Sequence, residues 1–370
     1  SIICSCTWGK TSSSALLSYI LDYAGFDPSY MFGGVSLSHH ESAKLTDSKW
    51  NVFEGDEYKS SPTDDRAKFF HYRPTHLLLS AVSWDHADLY PTEESYFDVF
   101  KQLLIGMPIA GFLVACKDNV GIKKIISSYK GRIISYGSSS NQKISSPHEY
   151  LYNNIKQDRG GLEFDIIHGN DQFKIHSPMI GTFQVENLTG CFAMAKEIGI
   201  EANRIIEAIS KFKGLRRRLE RRSDGANNST GITILDDIAH SPEKVSSLLP
   251  TLKEIYGAKN GGKIIIIFEP NSGGRERGSA IKYDNAFKYA DIVIIPRLTK
   301  LKLATDGSEP PMEGDELAAT IRKTHTNVKH IDDDKELIEF LISNTKKGDV
   351  IAFLGSHGFR GMIEEIIKTK

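Results

Sequence analysis

Ile2-Ile3-Cys4-Ser5-Cys6-Thr7-Trp8-Gly9-Lys10-Thr11-Ser12 is the stretch on which the reading of the whole chain turns. Its first half is apolar and of strand length; its second half passes through a glycine into an amphipathic run at 11–24. A strand, a tight turn and a helix N-terminus aim backbone N–H groups and the positive end of the helix dipole at one point, which is how proteins hold a phosphate. In that frame Lys10 reaches the β/γ oxygens and the Thr11 hydroxyl ligates Mg²⁺. The first glycine of the general motif is absent, since Cys4 stands there. A strand-to-helix turn that merely contains Gly-Lys-Thr is the alternative.

Outward from this loop, short apolar runs alternate with amphipathic ones, the pattern of βα units and a mostly parallel sheet. Strands are expected at 2–6, 50–54, 76–82, 111–116 and 132–136, and helices at 11–24, 92–104 and 119–129. A piece richer in strand, 162–167 and 173–175, precedes helices at 184–198 and 202–212. A polar turn at 223–230 interrupts the pattern. It restarts with strands at 232–236, 263–268, 291–295, 328–331 and 350–354, and helices at 243–256, 281–289, 335–345 and 359–369. The expectation is an α/β chain of two domains, 1–222 and 223–370.

Composition narrows the function. With 370 residues, 25% charged and a formal net charge of -1, the chain offers no electrostatic case for nucleic acid or a membrane surface as partner. The basic cluster Arg216, Arg217, Arg218, Arg221 and Arg222 is interrupted by Glu220 and reads as solvated or anion-binding. No apolar run approaches the ~20 residues needed to span a bilayer. The four cysteines are scattered without metal-site spacing, and Cys4 and Cys6 alternate on an apolar strand as buried residues do. A reduced, cytoplasmic location is expected. Because the sequence opens at Ser1 inside a core strand, a preceding segment is expected as well.

Two further strands bear on the phosphate loop. Glu54 ends one, in Glu54-Gly55-Asp56-Glu57-Tyr58; another leads into Trp84-Asp85-His86-Ala87-Asp88. Carboxyl ends of neighbouring parallel strands face one crevice. Glu54 and His86 there would suit a divalent ion bridging a phosphate and an incoming carboxylate. A surface acid and a capping histidine are the alternatives.

Together these residues resemble the Mur ligases, ATP-dependent enzymes that join an amino acid or peptide to a UDP-muramyl carboxylate through an acyl phosphate. The family loop, Gly-Thr-x-Gly-Lys-Thr/Ser-Thr/Ser, is similar to Cys6 through Ser12, which implies Thr7, Gly9, Lys10, Thr11 and Ser12 at ATP. The resemblance also implies Thr11, Glu54 and His86 as Mg²⁺ ligands. The family's adenine element, Gly-x-His-Asn-x-x-Asn, looks like Gly181-Thr182-Phe183-Gln184-Val185-Glu186-Asn187, implying Asn187 at the base. Its phosphate-contacting arginine falls on Arg218. Its Asp-Asp-Tyr-Ala-His-His-Pro element looks like Asp236-Asp237-Ile238-Ala239-His240-Ser241-Pro242, implying Asp237 at the ribose with His240 close by. Lys101 lies at an offset compatible with the carbamylated lysine of several members, a solvated helix lysine being the alternative.

Within the family, the motifs at 54–58, 65–74 and 84–88 look most like the subgroup that joins L-alanyl-γ-D-glutamyl-meso-diaminopimelate to UDP-N-acetylmuramate in peptidoglycan recycling. L-Alanine is the alternative acceptor. Asn271 and Arg275, with Arg277, are polar enough to meet diaminopimelate carboxylates, or else form a solvated loop. The resemblance covers the central P-loop ATPase domain and the C-terminal Rossmann-like domain of a three-domain family. Three departures stand out: Cys6 for a glycine, Ala81 for an asparagine, and Phe183-Gln184 for His-Asn. A P-loop kinase or ATPase, and a Mur-like protein that binds nucleotide without turnover, are the competing readings.

Overall fold

Four consecutive buried residues, Ile2–Ser5, form β1, and the polar turn after them starts helix α1 (Lys10–Tyr23). In the computed structural model, which describes residues 1–39, 41–139, 146–225, 229–257, 261–301 and 309–369, two compact units follow, Ser1–Leu215 and Arg216–Lys370.

In the first unit β1 lies between β4 (Asn51–Gly55) and β7 (His76–Leu79), parallel to both. Parallel pairing continues outward from β7 through β8 (Phe112–Cys116), β9 (Arg132–Ser138) and β10 (Glu149–Asp158), and from β4 to β2 (Ser29–Met31). Antiparallel β11 (Gly161–His168) and β12 (Asp171–Ser177) close one edge and β3 (Ala43–Lys44) the other, while β5 (Lys59–Ser61) and β6 (Asp64–Ala67) form a separate antiparallel pair. Strand order therefore reverses at β1, the switch point at which α/β sheets open a crevice. Ile2, Ile3, Leu77, Leu79 and Val114 belong to one buried core with Leu16, Leu17 and Ile20 of α1. Helix α2 (Glu93–Gly106) is stopped at its start by a Thr92/Ser95 capping box.

The second unit holds a six-stranded sheet. Parallel β14 (Thr233–Asp237), β18 (Val350–Gly355), β15 (Ile264–Glu269), β16 (Ile292–Pro296) and β17 (Val328–Ile331) lie in that order, with β13 (Glu220–Ser223) antiparallel to β14. Because β13 pairs with β14, the arginine cluster belongs to the second unit, and the division falls between Leu215 and Arg216 rather than after residue 222.

Several expectations were off, and β2, β3 and β13 were not among the expected strands. β10 escaped because a bulge between Asn153 and Lys156, with Asn154 at φ 52°, breaks its alternation. The helix expected at 281–289 is a 3-10 turn at Arg277–Tyr283; the Tyr283 hydroxyl donates to the Gly274 carbonyl and Asn285 takes φ 58°. A helix at Gly314–Arg322 was not anticipated.

Candidate active site

The loop after β1 leaves the N-terminus of α1 open. Gly9 sits at the N-cap with φ 90°, no side chain caps the first turn, and no acid occupies it, so those N–H groups are left for an anion. Glycine is required twice over. Its φ is one that L residues rarely adopt, and a Cβ would lie 2.4 Å from Asn187 Oδ1. Asn187, on the helix Gln184–Glu197, thus packs against the loop itself; its Nδ2 donates to Gln184 Oε1 at 3.1 Å. Phe183, in the histidine position of that element, is 52% exposed.

Cys6 does not crowd the loop's open face. Its side chain is buried, and burial pushes the thiol up to about 12 despite a hydrogen bond with Ser80. All four cysteines are buried. The folded protein is therefore expected to show no fast reaction with a thiol-specific disulfide reagent, and four equivalents in denaturant; one fast thiol in native buffer would contradict the burial. Ala81 acts through its backbone, its carbonyl accepting from Thr7 N at 2.8 Å.

Acidic residues converge on Lys10 and Thr11. The Thr11 hydroxyl donates to Glu54 Oε1 at 2.8 Å, and Gly33 N donates to Glu54 Oε2 at 2.6 Å. Lys10 Nζ lies 2.6 Å from Glu57 Oε2 and 3.4 Å from Asp56 Oδ1. Burial alone would depress the Lys10 ammonium, but Glu57 and Asp56 together outweigh it and the net shift is upward. Glu57 is fully buried, takes a hydrogen bond from Tyr96 at 3.2 Å, and has His86 Nε2 at 3.6 Å from Oε1. His86 is thus beside Glu57, at φ 56°, with its ring 4.9 Å from that of Tyr58. Thr7 Oγ1 and Tyr96 OH, 3.0 Å apart, tie the loop to α2. Sequence reasoning quoted Glu57 in a motif without giving it a role; the run of acids directly after Glu54 was the signal.

Lys101 does not join this group. Its ammonium pairs with Asp98 Oδ1 at 2.7 Å, one turn back on α2. Lys101→Ala is expected to change turnover by less than about twofold, as for a surface i,i+3 pair; a tenfold loss would restore a role for it.

In the second unit Asp237 is buried, and both carboxylate oxygens are engaged: Oδ2 accepts from Leu219 N at 2.7 Å and Oδ1 from Ala239 N at 2.8 Å. Burial pushes the Asp237 pKa above the ordinary aspartate value. Arg218 is exposed, whereas Arg217 donates to the carbonyls of Gly355, Ser356 and His357 and pairs with Asp236 at 3.2 Å. His240 Nδ1 lies 2.6 Å from Ile238 O, and burial with Lys244 nearby lowers its proton affinity.

The expected substrate contacts are corrected. Arg275 is 2% exposed, and its guanidinium donates to Met312 O, Thr299 O and Glu313 Oε1 at 3.0, 2.7 and 3.0 Å, leaving it as a strut between loops. Asn271 Oδ1 accepts from Gly274 N at 2.9 Å, closing a turn. Arg277 pairs with Glu316 and Glu309. Arg275→Ala is expected to lower stability by roughly 2–3 kcal/mol through stranded carbonyls, read as a lower urea midpoint; an unchanged midpoint would contradict the strut.

Residues 6–195 match the model of the Mur ligase middle domain, and residues 217–357 that of the Mur ligase glutamate ligase domain. The UDP-N-acetylmuramate–L-alanine ligase of Ruthia magnifica subsp. Calyptogena magnifica is 27% identical over 98% of this chain and 74% of its own length. A UDP-N-acetylmuramate-alanine ligase structure from Thermotoga maritima superposes with TM-score 0.76 at 19% identity, over 100% of this chain and 74% of that one. A murein peptide ligase structure from Psychrobacter arcticus gives 0.63 at 23% identity, over 99% and 76%. Among the described residues no helix is long and apolar enough to cross a membrane. Matched over residues 6–195 and 217–357, this chain belongs to the Mur ligase family, whose members are ADP-forming amide ligases.

Proposed function

We propose that this chain carries the catalytic machinery of an ATP-dependent ligase that joins L-alanine to the carboxylate of UDP-N-acetylmuramate. The supporting observation is the convergence of Lys10, Thr11, Glu54 and Glu57 beside the uncapped N-terminus of α1, in a chain whose relatives include L-alanine ligases. In this reading the backbone N–H groups of that helix end cradle the ATP phosphates, and Lys10 neutralises charge on the transferred group. A carboxylate oxygen of the muramyl substrate bonds to the γ-phosphorus as ADP leaves, forming an acyl phosphate. The amine of the acceptor then bonds to the acyl carbon, and phosphate departs with that oxygen.

Mg²⁺ is usually held by one or two protein oxygens together with phosphate and water; two such donors stand at the loop, although among the described residues no group of three or more His, Cys, Asp or Glu is placed to hold a metal. Thr11 Oγ1 and Glu54 Oε1 are hard oxygen donors 2.8 Å apart at the loop, with His86 beside Glu57 as a second group. When bound there, the ion would supply positive charge at the phosphate oxygens. Arg218 carries the family's phosphate-contacting role by its place in the motif.

A second reading takes L-alanyl-γ-D-glutamyl-meso-diaminopimelate as acceptor. It is favoured by a cavity of about 670 Å³ at the carboxyl edge of the second sheet, lined by Arg297, Lys300, His330, Asp332 and Arg360 among others. That is roomy for alanine; Lys300 is a cation of its lining, while Arg297 and Arg360 are paired with Asp334. ADP release by the natural full-length protein, with UDP-N-acetylmuramate and each acceptor in turn, separates the two. Dependence on L-alanine supports the first reading and dependence on the tripeptide the second. ATP binding without release under either condition overturns both.

A further inference from the structure

We propose that Asp237 is the positioning residue for Arg218, acting on the backbone turn that presents the guanidinium rather than on the nucleotide. The inference rests on the reading of Arg218 as a phosphate-contacting side chain. It starts from an unusual turn: Arg217 and Leu219, on either side of Arg218, both take left-handed backbone angles, φ 56° and 49°. Neither is glycine, so surrounding bonds must hold this conformation.

Those bonds can be followed one by one. Arg217 N donates to Glu220 Oε2 at 2.9 Å, and Arg217 O accepts from Ile238 N at 3.0 Å. The Arg217 side chain is tied to the end of β18 through the carbonyls of Gly355, Ser356 and His357. Leu219, 6% exposed, is fixed through its N–H to Asp237 Oδ2. The other oxygen of the same carboxylate holds Ala239 N, which fixes the Asp237 side chain in turn. Between these two tethered neighbours, Arg218 alone is exposed. Each oxygen of this buried carboxylate is committed to a backbone N–H on one of two neighbouring turns. Its effect is to set where the next guanidinium points.

The arrangement predicts a distinctive kinetic signature. Asp237→Asn keeps volume but turns an amide NH₂ toward one of the two backbone donors, so the turn loosens while the buried shape is preserved. In the natural full-length protein, with Mg-ATP, UDP-N-acetylmuramate and the productive acceptor, D237N is expected to lower kcat roughly tenfold to a hundredfold, as for a misplaced charge. The dissociation constant for ATP, measured by calorimetry, should move less than about threefold. A residue acting through Arg218 should matter little once Arg218 is gone, so D237N in the R218A background should change kcat by less than about threefold. Leu219→Gly, which frees the same turn while leaving Asp237 in place, should reproduce the kcat loss and serves if D237N does not fold.

Full additivity of D237N and R218A, or weakened ATP binding with kcat unchanged, would overturn the proposal in favour of a direct nucleotide contact. Normal kcat in R218A alone would overturn the reading of Arg218, a failure distinguishable from that of Asp237.

Discussion

Lys10→Ala is expected to lower ADP release by roughly 10²–10³-fold, the usual effect of removing one preorganised charge from a phosphoryl or oxyanion site. The ammonium stands at the first position of α1, directly after a left-handed glycine, where helix dipole and side-chain charge act on the same point. Among the described residues the other lysine on these acids, Lys68, pairs with the Asp56 oxygen opposite Lys10 at 2.6 Å. Removing Lys10 also strands the buried Glu57, which keeps its hydrogen bond from Tyr96 and has His86 Nε2 3.6 Å away. The stability loss should therefore stay below the full cost of an unpaired buried charge, and the variant should still melt cooperatively. Release within tenfold of wild type would contradict the assignment of the loop.

Glu57→Ala is expected to cost roughly 3 kcal/mol of stability, because it leaves the Lys10 ammonium in a largely buried place with only Asp56 near it. The alkaline behaviour follows from the sign of the shift. Lys10 is raised in the folded protein, so the stability this pair contributes is fully present below the unfolded lysine value and is lost as pH rises through the folded one. The wild-type urea midpoint should thus fall on the alkaline side of lysine's ordinary range more steeply than that of E57A. Identical alkaline slopes would remove Glu57 as the partner of Lys10. The same pairing means that an incoming phosphate meets an ammonium already held by a carboxylate, so binding involves an exchange of partners at Lys10.

The parts of the site visible in sequence are those fixed by local pattern. Gly9-Lys10-Thr11 announces itself through the strand before it and the helix after it. Glu54 is legible because it ends a strand next to β1. The rest depended on how segments fold back. Glu57 becomes the buried partner of Lys10 only because the chain turns inward after β4, and Tyr58 then meets Asp88 at 2.7 Å, joining two motifs thirty residues apart. Arg275 looked available because a Gly- and Arg-rich stretch reads as solvated; nothing local reveals that Met312 and Glu313 cross over it. Asn187 was assigned to the base by resemblance, yet its amide is also what a Cβ on Gly9 would strike.

The acceptor was the least legible element. Motifs after β4 and before α2 pointed to a tripeptide ligase, whereas the relatives named above include L-alanine ligases. Those motifs lie in the first unit, around the phosphate loop, and say little about the second unit's cavity. Acceptor specificity turns on a few individual side chains, which periodicity and composition do not distinguish.

The central claim is that the muramyl carboxylate, not water, attacks the terminal phosphate. It is tested most directly by running the full-length protein with UDP-N-acetylmuramate labelled with ¹⁸O in its carboxylate, and analysing the released phosphate by mass spectrometry. Acyl phosphate chemistry predicts one ¹⁸O atom transferred to each phosphate released. Phosphate free of label, with ADP still formed, would mean hydrolysis by water and would contradict the account.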